Sequence, residues 1–124
     1  MIISTSNAPA PIGPYSQAVR VGQTLYVSGQ IALDPVTNQL DISDISSETN
    51  MVMTNIGAIL EAAGLSFQHV VKCSIFVNDM DNFAAVNEIY SQYFTESPPA
   101  RETVEVSRLP KNVNVEISCI ACYH

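Results

Sequence analysis

"VVKCSIFVNDMDNFAAVNEIYSQYF" occupies residues 70–94. Its first part alternates, with Val71, Cys73, Ile75 and Val77 on one side, which predicts a strand near 70–78. The period then changes. Phe83, Val86, Tyr90, Tyr93 and Phe94 recur at helical spacing, which predicts a helix over about 81–94. "PPARETVEVSRLP" follows at 98–110 and reads as a strand from Arg101 to 108, entered through two prolines. A strand, a helix and a second strand call for a parallel pair joined by a right-handed crossover.

Working outward, "LPKN" separates that strand from a last one at 113–122. Upstream, Val52, Ile56, Ile59, Leu60 and Ala63 mark a helix over about 46–63, with Ser46 or Ser47 as its cap and Gly64 as its stop. "LYVSGQIAL" (25–33) alternates again. Leu25, Val27, Gly29, Ile31 and Leu33 share one face; Tyr26, Ser28, Gln30 and Ala32 share the other. A short strand at 17–21 and a turn at Gly22-Gln23 precede it. Residues 7–16 carry three prolines and a glycine and read as an irregular arm. The order is β-β-β-α-β-α-β-β. It predicts an α+β fold in a single domain, 1–124, with one mixed sheet of about six strands and both helices on one face.

The chain has 124 residues, 47% hydrophobic and 14% charged, which is the composition of a core-rich globule. The net charge of −7 and the absence of any Lys/Arg run argue against nucleic acid, whose binding rests on cations that displace phosphate counterions. Anionic membranes are disfavoured on the same ground, and no apolar run is long enough to span a bilayer. The start lacks the basic and apolar regions of a signal peptide, and three cysteines make no framework, so a cytoplasmic setting is expected.

The period-two rule assigns the helix-free face. The helices are expected over the side that carries Val71/Ile75, Val104/Val106 and Val115/Ile117. The opposite face then carries Ser28, Gln30, Lys72, Ser74, Phe76, Arg101, Thr103, Glu105, Glu116, Ser118 and Ile120. That mixture is too apolar for a solvated face and too polar for a dry core, as at a seam between subunits. Arg101 and Glu116 are expected to emerge together there.

"IGPYSQA" (12–18), "LYVSGQI" (25–31), "AAGLSFQHVVK" (62–72), "VNEIY" (86–90), "PPAR" (98–101) and "EVSRLPKNVNVEISCIA" (105–121) resemble the RidA family, also called YjgF. The resemblance spans nearly the whole chain, in order. It implies a chorismate-mutase-like fold, a homotrimer with clefts between subunits, and no metal or organic cofactor. It also implies hydrolysis of 2-imino acids and their enamines, such as 2-aminoacrylate, to 2-oxo acids and ammonia. On the matching motifs, Arg101 would bind the substrate carboxylate and Glu116 would be the cleft acid. Tyr15, Ser28, Gly29 and Asn87 would shape the pocket. Many members follow the arginine with serine and cysteine; here stand Glu102 and Thr103, behind a shorter approach loop. Thr103 keeps a hydroxyl in the substrate pocket but not a thiol.

The residue types suit that chemistry. A guanidinium fork matches both oxygens of a carboxylate and stays charged. A partly buried glutamate can take a proton from water and return it to nitrogen. Each also has a plain structural reading: Arg101 paired to Glu102 or Glu105, Glu116 as a rim carboxylate, Gly29 as a packing glycine, Asn87 bonded to local backbone, Tyr15 anchoring the arm. Cys119-x-x-Cys122 with His124 mimics a metal motif, but residues three apart on a strand face opposite ways, and four ligands are lacking. Two rivals remain: a module that senses a small carboxylate in the same cleft without turnover, and a ribonuclease, which the charge disfavours.

Overall fold

The computed structural model describes residues 1–124. Its elements are β1 (Ile2–Ile3), β2 (Ala18–Val21), β3 (Thr24–Gln30), α1 (Ile45–Ala62), β4 (Val70–Val77), α2 (Phe83–Ser91), β5 (Ala100–Glu105) and β6 (Val115–Cys122). One six-stranded sheet runs β1-β2-β3-β6-β4-β5. Only β4 and β5 pair in parallel; every other pair is antiparallel. The order and the mixed sheet are those read from the sequence, although that reading places no strand at Ile2–Ile3. Both helices pack on one side, where Val52, Ile56, Ile59, Leu60, Val86 and Tyr90 close over Leu25, Val27, Cys73, Ile75, Ile117 and Cys119.

The helix ends have local causes. Asp44, not Ser46 or Ser47, caps α1: its backbone is extended and its carboxylate accepts from the Ser47 N–H at 2.7 Å. An anion at the positive end of the helix is the stronger acceptor. At the far end Gly64 adopts φ +78°, with Gly64 N–H bonded to Glu61 O and Leu65 N–H to Leu60 O. This is the left-handed stop that glycine permits. α2 is shorter than expected. A 3₁₀ turn at Met80–Asn82 leads into it and it stops at Ser91, because Tyr93 and Phe94 turn aside to pack on Phe67, with ring centroids 5.1 and 5.5 Å away.

Three expectations about sheet faces need correction. A bulge between Val70 and Lys72 puts Val70 in the core and leaves Val71 47% exposed. A second bulge between Val27 and Gln30 buries Gln30 and turns Gly29 toward Glu116 on the open face. A bulge adds a residue and resets parity, so strict alternation fails beyond it. The third correction concerns β5. Its register aligns Arg101 with Cys73, Thr103 with Ile75 and Glu105 with Val77, all core-facing positions of β4. Arg101, Thr103 and Glu105 therefore lie on the helix side, and Val104 lies beside Phe76 on the open face, 39% exposed. Val104 does not mark the core side, because β5 is the edge strand and its helix-side row lies at the rim of α2.

Candidate active site

Glu116 stands at the start of β6 on the open face, half-buried. Burial raises its carboxyl above the ordinary carboxylate value. Gly29 lies against it so closely that any Cβ would overlap the carboxylate, which explains a glycine inside a strand. The Ser28 hydroxyl donates to Ser16 O, fixing β3 to the end of the arm. Tyr15 stands half-exposed, its hydroxyl accepting from Ile12 N–H at 3.4 Å. Together with Ile31 and Pro110 these residues line a cleft of about 360 Å³. Four residues expected to act, Tyr15, Ser28, Gly29 and Glu116, thus share one wall-to-floor arrangement.

Three buried polar side chains brace that cleft, and the sequence reading missed them. Gln17 holds the arm, accepting from Thr5 N–H at 2.7 Å and donating to Pro9 O at 2.8 Å. Asn55 donates to Ile31 O at 3.1 Å and Leu33 O at 2.9 Å. Glu48, fully buried in α1, accepts from Asn114 N–H and Nδ2 at 2.7 Å each and from Val115 N–H at 3.0 Å. Each satisfies backbone that leaves the sheet ladder, where buried donors and acceptors otherwise go unpaired. A signal existed for Glu48: it lies four residues before Val52, inside the buried stripe of α1.

Arg101 lies on the other side of the sheet. Its Nη1 donates to Asn87 Oδ1 at 2.6 Å, and its guanidinium carbon lies 5.1 Å from the Tyr90 ring centroid and 5.5 Å from that of Phe83. It has no carboxylate partner. Glu102 is taken by Lys72 at 2.8 Å and by Ser74, which hold its carboxyl below the usual range; Glu105 accepts from Met80 N–H at 2.8 Å. The structural pairing of Arg101 to Glu102 or Glu105 is therefore not the one adopted. Thr103 Oγ1 is buried without a partner on the same side. A groove of about 360 Å³ beside Arg101 is lined by Asn87, Tyr90, Ser91, Phe94, Pro98 and Pro99.

The expected residues therefore assemble as two groups, one around Glu116 and one around Arg101. They do not meet within one chain: the sheet stands between them, contrary to the expected shared face. Cys119 and Cys122 fall on opposite faces of β6, one buried and one half-buried. No group of three or more His, Cys, Asp or Glu side chains is disposed to hold a metal ion.

A family model described as "Endoribonuclease L-PSP" matches residues 5–123. The chain belongs to the RidA/YjgF family. It is 53% identical to a RutC family protein of Pyrococcus horikoshii over 97% of this chain and 95% of that one. It is 51% identical to a protein of Capra hircus named 2-iminobutanoate/2-iminopropanoate deaminase, covering 97% and 88%. A crystal structure of TdcF from E. coli with bound serine superposes at a TM-score of 0.96, with 39% identity and coverage of 100% and 99%. This RidA/YjgF chain thus keeps the family's fold over its full length. No helix in it is long and apolar enough to cross a membrane.

Proposed function

We propose that the chain hydrolyses 2-imino acids and their enamine tautomers to 2-oxo acids and ammonia, in a site that two copies complete. The observation that carries the reading is the pair of complementary half-sites. One offers an arginine with no anionic partner, held by Asn87, and suits a carboxylate. The other offers a half-buried glutamate of raised pKa against a glycine and a serine, and suits proton transfer at a small polar centre. Relatives at about this identity are named as imine deaminases, and one similar structure holds serine, a small carboxylate-bearing molecule.

An enamine substrate is first protonated at carbon to give the imine. Ionised Glu116 takes a proton from water as its oxygen bonds to the imine carbon, and the C=N electrons move onto a protonated nitrogen. Glu116 then gives its proton to that nitrogen and takes back the hydroxyl proton as the carbinolamine collapses; the C–N bond breaks, ammonia leaves, the carbonyl forms, and the proton on Glu116 passes to solvent. Arg101 of a second copy holds the carboxylate bidentately, with Thr103 beside it. Tyr15 and Ile12 wall the cleft. Because the two halves lie on opposite sides of the sheet, one chain cannot close the site. The open sheet face, with Phe76, Val104, Tyr26 and Ile120 among serines and the Lys72–Glu102 pair, suits association with further copies, as in a homotrimer.

A coupled assay tests this. A dehydratase generates 2-aminoacrylate from serine, and pyruvate release is followed. Wild type should accelerate release and Arg101→Ala should lose about 10–100-fold in kcat/KM, the worth of a charge-assisted contact. No acceleration by wild type, or equal acceleration by Arg101→Ala, overturns the proposal. Glu116→Gln separates turnover from sensing: catalysis should collapse while carboxylate binding persists.

A further inference from the structure

Phe83, Asn87 and Tyr90 stand at spacings of four and three on α2, so they form one stripe on a single helix face. All three touch Arg101. Asn87 accepts from Nη1 at 2.6 Å, and the rings of Phe83 and Tyr90 lie 5.5 and 5.1 Å from the guanidinium carbon. The sequence pattern alone treats the two aromatics as packing residues of the helix. They do pack, but Tyr90, 4% exposed, stands directly under the cation, while Phe83 borders it at the solvent rim. Both distances fall within the range in which a ring face attracts a cation. Arg101 makes no other hydrogen bond and no ion pair in the chain, so Nε and Nη2 stay uncommitted on the side suited to a bidentate carboxylate.

We infer that Phe83 and Tyr90 are positioning residues: an aromatic cradle that, with Asn87, holds the Arg101 fork in one orientation in place of a counter-ion. The logic is electrostatic. A carboxylate partner would fix the guanidinium equally well but would compete with the substrate's carboxylate. Ring faces hold the cation without neutralising it, and Asn87 supplies direction through a neutral oxygen. The fork is thus preorganised and remains available, which lowers the ordering cost of binding. The inference rests on the carboxylate-binding role proposed for Arg101, and it predicts an effect on affinity rather than on the chemical step.

The test titrates pyruvate, as the carboxylate probe, into the assembled protein by calorimetry and measures deaminase kinetics alongside. Arg101→Ala is the reference: if it binds pyruvate as wild type does, the role proposed for Arg101 fails, and the cradle with it. If Arg101→Ala loses binding, the ring variants decide the cradle. Tyr90→Leu and Phe83→Leu should each weaken pyruvate affinity and raise KM by about 3–10-fold, with kcat held within about twofold. Tyr90→Phe should recover most of the affinity that Tyr90→Leu loses, because the ring and not the hydroxyl faces the cation. Phe83→Leu lies at the rim and keeps the test valid where Tyr90→Leu does not fold. Leucine variants that bind like wild type, a Tyr90→Phe variant as weak as Tyr90→Leu, or a fall in kcat at constant KM would each overturn the cradle.

Discussion

At the level of single residues, Glu116 and Gly29 act as one unit. Burial makes Glu116 harder to ionise in the folded protein, so its folded pKa lies above its unfolded one. The native state then binds the proton at higher pH than the unfolded chain. Above that folded value the charge therefore costs stability, and the cost fades as pH falls through the folded pKa. Glu116→Gln should accordingly be more stable than wild type at pH 7, by thermal denaturation, with the advantage shrinking toward acid pH. Its kcat should fall by about 10²–10⁴-fold, the usual contribution of a general acid–base. The acid limb of wild-type kcat/KM should lie above the ordinary carboxylate value and disappear in the variant. A stability gain that grew toward acid pH would contradict the burial argument. The Thr103 hydroxyl is a separate cost of burial, since it lies buried without a hydrogen-bond partner.

At the level of elements, what places the cleft is the irregular backbone between strands. The bulge in β3 delivers Gly29 to Glu116, and a methyl there would force the Glu116 carboxylate to shift. Gly29→Ala should destabilise the protein by about 1–3 kcal/mol through overpacking and depress activity more than its stability loss explains. An unchanged melting point with full activity would show that the carboxylate moves aside freely. Glu48 braces the entry to β6 with three accepted hydrogen bonds. Glu48→Ala should cost on the order of 3 kcal/mol in urea unfolding, since it strands buried N–H donors. The element order was legible in the sequence because period two and period 3.6 alternate cleanly through β4, α2 and β6. The cleft residues Tyr15, Ser28, Gly29 and Glu116 were legible through their motifs. The side of the sheet that Arg101 faces was not. That reading borrowed the core side from Val104 and Val106, and on an edge strand at the rim of the helix layer neither face is fully apolar. Bulges at Val70/Lys72 and Val27/Gln30 defeated alternation for the same kind of reason, since a period-two pattern carries no mark of an inserted residue.

At the level of the whole molecule, the open sheet face and the opposed half-sites make one argument. Phe76, Val104 and Ile120 lie on the helix-free side of the sheet with Glu116, while Arg101 stands exposed at the rim of α2 on the other. On the proposed reading such a chain works only in company, with the Glu116 half of one copy facing the Arg101 half of the next. Mixing two inactive variants tests that arrangement directly. Arg101→Ala and Glu116→Gln chains, each nearly inactive alone, are unfolded together at equal concentrations, refolded and assayed. If the site joins two copies, about a quarter of the sites in randomly mixed assemblies pair an intact Glu116 with an intact Arg101, and roughly that share of wild-type activity returns. If both groups serve one chain's own site, every site in the mixture lacks one of them, and activity no higher than that of the separate variants would contradict the account.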